Sequence, residues 1–547
     1  MKTDILIIGS GVAATTIARS LLNKGAKDIL MVEAGGSVPM ADHRRWQDYV
    51  MKGVGIQENR PYAECVDEKG DNASYENAGG GHESKYQSAP WNFPNHNWHI
   101  SGSRLIVRGG TTLHWGGWAP RLMPEDFKLK TNTGIGLDWQ FDYDDLEPYY
   151  SEAECLLQVM GMDNDPNQPD RPTGVYPYKP IPYSKTDGPL IELFERKGIK
   201  YGPLPISRNT LRNNECKLGL KDDPASFTVN PCRATGTCKY CPFEAKFTND
   251  QSLDYILKHY PDNIRLLMQI PTKEIIFSGN TATGVKCVDK TSNKEVTINA
   301  DHVIVAAGAF ESPKILLASG LNNKNIGAHL TSHPMFMVSG EKIHNDIAPQ
   351  QELHFPILCS RHFDSERYQR QGKALLVKHY EKPSHDIAKM MGEGKTRAEI
   401  DNEVKKEEYE IRGFIENVKG ANTRVGIAKG RDKWGLPRTK LDISGDTYPE
   451  EAMKYYLKHM RRWLEEMGYS FSRFTVYPPA GHHGMSTCRM ASNKNEGVVD
   501  KELKVFGTKN VYVVSNAVFP SGGVANPTLT LGAVSLKFAS EFSSQYL

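Results

Sequence analysis

The sequence is short of several things, and each shortage narrows what the chain can be. No apolar run approaches the roughly 18–20 residues that a membrane-spanning helix requires. Neither sign of charge is in excess: 67 basic residues face 65 acidic ones, for a net +2. That balance points away from nucleic acid and from anionic membrane surfaces as partners. There is no internal repeat and no low-complexity tract. Cysteine is too sparse for a disulfide scaffold, with nine residues in a chain of 547. An export signal is also missing. Met-Lys-Thr-Asp leads into the short apolar run Ile5 to Ile8 and then Gly9, where a signal peptide would carry a longer apolar core and a small-residue cleavage site. What is present is a chain that is 39% hydrophobic and long enough for two or more domains with substantial cores.

The first segment reads strand, turn, helix, strand. "DILIIG" is a continuous apolar run, as expected of a parallel strand buried on both faces. "AATTIARSLLNKG" has helical spacing and stops at Gly25, a C-terminal cap residue. "DILMVEAG" is the second strand. Between the first strand and the helix, Gly9, Gly11 and Ala14 form G-x-G-x-x-A. Gly9 permits the tight turn, Gly11 lets the backbone approach a pyrophosphate, and Ala14 lets the helix pack closely on the strand. The helix N-terminus offers N–H groups and positive potential to phosphates. Glu33 closes the second strand and can accept hydrogen bonds from a ribose diol. A glycine motif alone is weak; this order of elements is a strong dinucleotide signal.

A loop-like region follows from about Gly36 to Ile100, and 120–230 is rich in Pro, Tyr and Asp. Strand patterns return in 264–306 and end at "HVIVAAGAFESPKILLASG". There Ala307 and Gly308 are small enough for a nucleotide to pass close to the chain. This second element favours FAD over NAD, since a single-nucleotide NAD domain does not need it. Residues 386–412 are highly charged with helical spacing and read as a solvated helix or surface flap. "NVYVVSNAVFP" is a strand running into a loop, and "NPTLTLGAVSLKFASEF" is a helix with an apolar stripe.

Four places together resemble the glucose-methanol-choline (GMC) oxidoreductase family. They are the N-terminal motif with Glu33, "RGGTTLHWGG", "AAGAFESPKILLASG" with "HLTSHP", and "HHGMSTCRM" with "NVYVVSNAVFPSGGVANPTLT". The resemblance implies an α/β fold, a discontinuous Rossmann-like FAD-binding domain interleaved with an α+β substrate-binding domain built on a sheet. Residues 1–125, 230–335 and 475–547 are expected in the first domain, and 126–229 and 336–474 in the second. The resemblance makes His483 and Asn526 the catalytic pair. Alcohol oxidation needs a base for the hydroxyl proton and a partner for the oxygen, and a histidine near neutral pKa suits the base. His482 is expected to point elsewhere on a strand. The resemblance also assigns Arg108, Gly109, Gly110, Thr112, His114, Trp115, Gly117 and Asn516 to the flavin site. Pro527 and Thr528 are expected to bring helix N–H groups to the flavin's pyrimidine end. "TTLHW" is similar to the segment of pyranose-oxidase-type members whose histidine is bonded to the flavin. Related dehydrogenases carry it without that bond, so both states of His114 stand open.

"CRATGTCKYCP" sets Cys232, Cys238 and Cys241 at C-x5-C-x2-C-P, with Cys216 sixteen residues earlier. Thiolates so spaced suit a metal or an iron–sulfur cluster. The chain is similar here to bacterial glucose dehydrogenase and glucoside 3-dehydrogenase catalytic subunits, whose last spacing is one residue longer. The candidates are a three-iron cluster on three cysteines, a four-iron cluster that adds Cys216, structural zinc, or free or disulfide-bonded thiols. The function implied is FAD-dependent oxidation of a sugar or glycoside, with electrons leaving through the cluster to a cytochrome or quinone-linked acceptor. A small partner subunit would provide export to the periplasm; without it the chain is cytoplasmic. A pyranose-oxidase-type oxidase is the first alternative, followed by a flavin-containing lyase and a non-catalytic binding protein. Substrate specificity is expected in loops within 340–470.

Overall fold

The computed structural model describes residues 1–37, 75–77, 105–113, 115–213, 215, 231–233, 245–349, 355–365, 372–379, 387–418, 420–432, 434–442, 448–477 and 481–547. A seven-stranded sheet gathers distant parts of the chain. The strand Lys2–Ile8 lies between Ile29–Glu33 and Lys294–Val305, both parallel to it, and Ile264–Met268 extends the edge beyond Ile29–Glu33. Leu6, Ile7, Leu30, Met31 and Ile304 are fully buried, which is why these strands read as unbroken apolar runs. The strand Lys294–Val305 changes partner midway. Its first half pairs antiparallel with Thr281–Asp289, and its last residues pair parallel with Val511–Val513. The helix Val12–Asn23 connects the first two strands and ends before Gly25, which adopts φ +99°. The helix Pro527–Tyr546 packs on it and on the helix Tyr143–Leu156.

A second sheet has six antiparallel strands, in the order Ser470–Tyr477, Met335–Ile343, Lys406–Ile415, Ala374–His379, Leu358–Ser360 and Gly202–Pro203. Side chains alternate across it. One face buries Phe336, Val338, Ile411 and Ile415 against Tyr456, Met460 and Trp463 of the helix Tyr448–Glu466. The other face presents Met335, Arg412 and Phe414 to the cavity described below. Within the stretch 340–470 lie strands of this sheet, its helix Tyr448–Glu466 and the hairpin Arg424–Arg431 with Pro437–Asp442, joined by connecting segments.

The charged segment 386–412 departs from expectation in its second half. Ile387–Gly392 and Arg397–Glu403 are helices, but Lys406–Ile415 is an inner strand of the six-stranded sheet. Its buried Tyr409 and Ile411 alternate with charged residues, a period-2 pattern masked by the density of Glu and Lys.

The helix Tyr143–Leu156 is tied to the chain before it by a buried ionic cluster. Arg121, 1% exposed, donates to Glu154 at 2.8 Å and to Glu147 at 2.9 Å, and Arg171 meets Glu154 from the other side at 2.7 Å. Among the described residues no helix is long and apolar enough to cross a membrane.

Candidate active site

The glycine turn after the first strand is held from three directions. Gly9 has φ +112°, and a methyl group on it would stand 2.6 Å from the carbonyl oxygen of Ala306, just past the neighbouring strand Lys294–Val305. Ser10 Oγ donates to Glu33 at 2.6 Å and accepts from Gly109 N at 3.2 Å, joining the turn to the RGG segment. Asn249 donates from its amide to Ser10 O and Thr15 Oγ1, and from its backbone to Thr112 Oγ1. Gly11 differs from Gly9: a Cβ there would meet nothing within 4 Å, because it faces a cavity. The helix that Gly11 opens has no side-chain cap and no acidic residue in its first turn. An open glycine at a helix N-terminus with no acidic residue in its first turn fits a pyrophosphate. Burial raises the Glu33 carboxyl above its ordinary value, against the hydrogen bonds from Ser10 and Gly35 that lower it.

A cavity of about 710 Å³ runs from this turn to the start of the final helix. Gly9, Gly11, Glu33, Gly109, Gly110, Thr112, Trp115, Gly117, Ala307, Gly308, Asn516, Pro527, Thr528, His483 and Asn526 all line it. At its far end His483 and Asn526 touch, with Nε2 and Nδ2 2.9 Å apart. Asn526 stands at the N-cap of the helix Pro527–Tyr546 but does not cap it, since its amide is turned to His483. The other ring nitrogen of His483, Nδ1, lies 3.0 Å from Nδ1 of the buried His333, whose Nε2 lies 3.0 Å from Gly523 O. His483 opens onto the cavity and is otherwise enclosed. Burial, and then the neighbouring His333 and His482, hold its pKa well below the ordinary histidine range. Burial likewise brings His333 down to about 4, against the backbone bonds of Gly523 and Gly522. Both rings are neutral at physiological pH.

Two residues expected at the cofactor stand back from the cavity. Ala14 is fully buried within the helix Val12–Asn23, and the Arg108 guanidinium pairs with Asp254 at 2.5 Å. His114 lies outside the described residues, but its surroundings do not. Lys246 Nζ donates to the carbonyls of Leu113 and Trp115, and Trp115 Nε1 donates to Phe247 O. His482 corrects a second expectation. Gly481–His483 is a 3₁₀ turn beyond the end of strand Ser470–Tyr477, so the two histidines do not alternate across a sheet and both reach the cavity.

Sequence reasoning gave no role to His333, Arg412, Phe414 or Trp434. His333 stood in "HLTSHP", a segment already singled out; the others carry no local signature. Trp434 lies under Lys290 Nζ, 4.3 Å from the ring centre, and both line the cavity on the side of Glu33 and Gln269.

Of the four clustered cysteines, Cys216, Cys238 and Cys241 lie outside the described residues. Cys232 N donates to Asn209 O at 2.7 Å, and Asn209 N donates to Ala245 O at 2.7 Å. Both ends of the segment 232–245 are thus pinned on one residue. Among the described residues no group of three His, Cys, Asp or Glu side chains is placed to hold a metal.

Comparison with known proteins matches both halves of one family. The N-terminal GMC oxidoreductase model covers residues 4–335 and the C-terminal one residues 421–535. The chain is 24% identical to the fructose dehydrogenase large subunit of Gluconobacter japonicus, over 98% of this chain and 97% of that one. It is 25% identical to 6'''-hydroxyparomomycin C oxidase of Streptomyces lividus, over 99% and 91%. Among solved structures, pyridoxine 4-oxidase from Mesorbium loti superposes with a TM-score of 0.64 at 15% identity, covering all of both chains.

Proposed function

The chain belongs to the GMC oxidoreductase family, and from that premise we propose that it is an FAD-dependent dehydrogenase of a secondary or anomeric hydroxyl on a sugar or glycoside. The observation that carries this reading is the 2.9 Å contact between His483 and Asn526 in the same cavity as Gly9, Gly11 and Glu33. Bound FAD supplies the hydride acceptor, its N5 atom. The protein's residues do the rest. His483, held neutral by burial, takes the hydroxyl proton. Asn526 holds the oxygen while the proton leaves. Gly11, Gly109 and Gly110 admit the pyrophosphate, Glu33 the ribose, and the N–H of Thr528 the pyrimidine end of the flavin. Sugar-like substrates are supported by the relatives' names, fructose dehydrogenase and hydroxyparomomycin oxidase.

The electron route belongs to the same proposal. Cys232, Cys238 and Cys241, alone for a three-iron cluster or with Cys216 for a four-iron one, hold an iron–sulfur cluster that passes electrons to a cytochrome or quinone-linked acceptor. Its support is the C-x5-C-x2-C-P spacing and the anchoring of Cys232 on Asn209. Ser207 and Arg208, next to Asn209, donate to the carbonyls of Gly117 and Gly116 in the flavin segment. A small partner subunit is supported by the word "large" in the relative's name. Co-export with it would place the protein in the periplasm. An oxidase is the second reading, favoured by the hydroxyparomomycin C oxidase match across 99% of the chain.

Anaerobic titration of the purified flavoprotein with a panel of sugars and glycosides tests both parts. Bleaching of the flavin is expected with at least one of them; no bleaching with any would remove the substrate class. Iron and sulfide analysis of the anaerobically prepared protein is expected to find a cluster, and their absence would remove the relay. Hydrogen peroxide formed in step with turnover under air would replace the dehydrogenase by the oxidase.

A further inference from the structure

We propose that His333 is a positioning residue that fixes the tautomer of His483, so that a bare Nε2 lone pair faces Asn526 and the cavity. The inference rests on the reading of His483 as the base. It follows from the direction of three hydrogen bonds. Gly523 O is a carbonyl and can only accept, so His333 Nε2, 3.0 Å away, carries a hydrogen and donates it. A neutral imidazole carries one hydrogen, so His333 Nδ1 is an acceptor. His483 Nδ1 stands 3.0 Å from it and must therefore be the donor. The single hydrogen of His483 is thereby placed on Nδ1, and its Nε2 is left as a lone pair. Asn526 Nδ2, an obligate donor, sits 2.9 Å from that nitrogen. Each step agrees with the next, and the chain ends on a proton acceptor at the cavity wall. Asn526 Nδ2 keeps a second hydrogen for the substrate oxygen.

The carbonyl at the head of this chain is held rigidly. Gly523 has φ +51°, and a Cβ on it would stand 2.6 Å from Asp126 Oδ2. Asp126 is buried and ion-paired with Lys373, which also meets Asp364 at 2.8 Å. Ser521 Oγ donates to Asp126 O and accepts from Trp139 Nε1, both at 3.0 Å. A Cβ on Gly522 would collide with Met485. The loop that carries Gly523 O therefore has little room to turn its carbonyl away from His333. The ionisable groups acting on the two rings are His333 and His482 on His483, and Asp364 on His333.

Without His333, the hydrogen of His483 is free to sit on either nitrogen. The tautomer with Nε2–H would face Asn526 donor to donor, or draw round to the ring its Oδ1, unpartnered among the described residues, and in either case could not accept the substrate proton at Nε2. A base held in the wrong tautomer loses a factor of about 10⁴ in the Ser-His-Asp hydrolases.

Four variants of the FAD-loaded full chain test this. His333→Leu is expected to lower kcat by about 10²-fold or more, the scale of a general base, with KM changed about threefold or less. His333→Gln offers an amide oxygen to His483 Nδ1 and an NH₂ to Gly523 O, and should restore most of that loss. His333→Glu places a carboxylate against His483 Nδ1, raises the pKa of His483 and should move the acidic limb of kcat/KM upward by at least about one pH unit. His483→Gln reports on the base itself. Flavin content and circular dichroism identify any variant that fails to fold. Long-range ¹H–¹⁵N correlation of histidine-labelled holoenzyme reads the tautomer without turnover: protonated Nδ1 and bare Nε2 on His483 in the parent, and a mixture in His333→Leu. The proposal is overturned if His333→Leu keeps the parent's tautomer or its kcat. It is equally overturned if His333→Gln is as impaired as His333→Leu, or if His333→Glu leaves the pH profile in place. Turnover that survives His483→Gln would overturn the base reading instead, and that outcome is distinct because the tautomer shifts would stand unchanged.

Discussion

Gly9 carries two separate constraints: a backbone angle of φ +112° and a carbonyl oxygen, Ala306 O, only 2.6 Å from where a methyl group would stand. Neither can relax cheaply, because Ala306 follows a strand that pairs with Lys2–Ile8 through most of its length. Gly9→Ala is therefore expected to cost about 1–2 kcal/mol in backbone strain alone and to push the two strands apart at the pyrophosphate turn. The purified variant should retain less than half the flavin of the parent, measured as the ratio of flavin to protein absorbance. Gly11→Ala, which faces the open cavity, should fold as the parent does and lose flavin only through contact with the phosphates. At this scale the sequence was informative where chemistry needs a particular residue at a particular spacing. Gly9, Gly11 and Glu33 were legible from their spacing, His483 and Asn526 from the family resemblance, and the structure brings all five to one cavity. His333 was not, although its segment had been singled out. Its significance lies in a 3.0 Å contact with a residue 150 positions away, and no local pattern encodes that.

Elements are held in place by groups that a periodicity reading passes over. Burial alone would raise the Glu154 carboxyl, but Arg121 and Arg171 outweigh it and hold the group at about 2, against an ordinary 4.5. A carboxyl depressed in the folded state stabilises that state above its ordinary pKa and loses the contribution as pH falls from about 4.5 to about 2. The difference corresponds to about 3 kcal/mol. Glu154→Gln should lower the melting temperature at neutral pH, and its melting temperature should fall less steeply than the parent's below pH 4.5. Thermal unfolding across pH checks both. The hairpin Arg424–Arg431 and Pro437–Asp442 offers a second case. Its turn is tightened by Asp432, which accepts from Trp434 N and Leu436 N at 2.9 Å, and it brings Trp434 over Lys290 at the Glu33 side of the cavity. Trp434→Ala should speed release of FAD by about threefold, the worth of one partly exposed cation–π contact, read as the rise of free-flavin fluorescence on dilution. The strand Lys406–Ile415 shows why such elements were hard to read. Its alternation is real, but acidic and basic side chains occupy so many positions that charge density outweighed period.

At the scale of the molecule, two sheets divide the work. The seven-stranded sheet supplies the glycine turn, the Ala307–Gly308 step and the final helix, while the six-stranded sheet closes the cavity with Met335, Arg412 and Phe414. The nucleotide half was visible in sequence because parallel strands buried on both faces are unbroken apolar runs. The second sheet was expected from the family resemblance alone, because antiparallel strands with one polar face dilute that signal. The pairing of Lys2 with Asn299 and of Val303 with Val511 also sets a timetable. A ribosome adding about 5–20 residues per second leaves the first strand, already paired with Ile29–Glu33, waiting roughly 15–60 s for its second neighbour, and longer before the residues that complete the wall of the cavity are made. During that interval one side of this apolar strand stands without its partner. Chains arrested on the ribosome short of residue 299 should lose their N-terminal segment to protease. Chains arrested between the middle strand and Asn526 should keep it yet retain no flavin. The cofactor is then acquired only after Asn526 has been made, and in the cell the yield of active protein depends on what shelters the open side of that strand until Asn299 arrives.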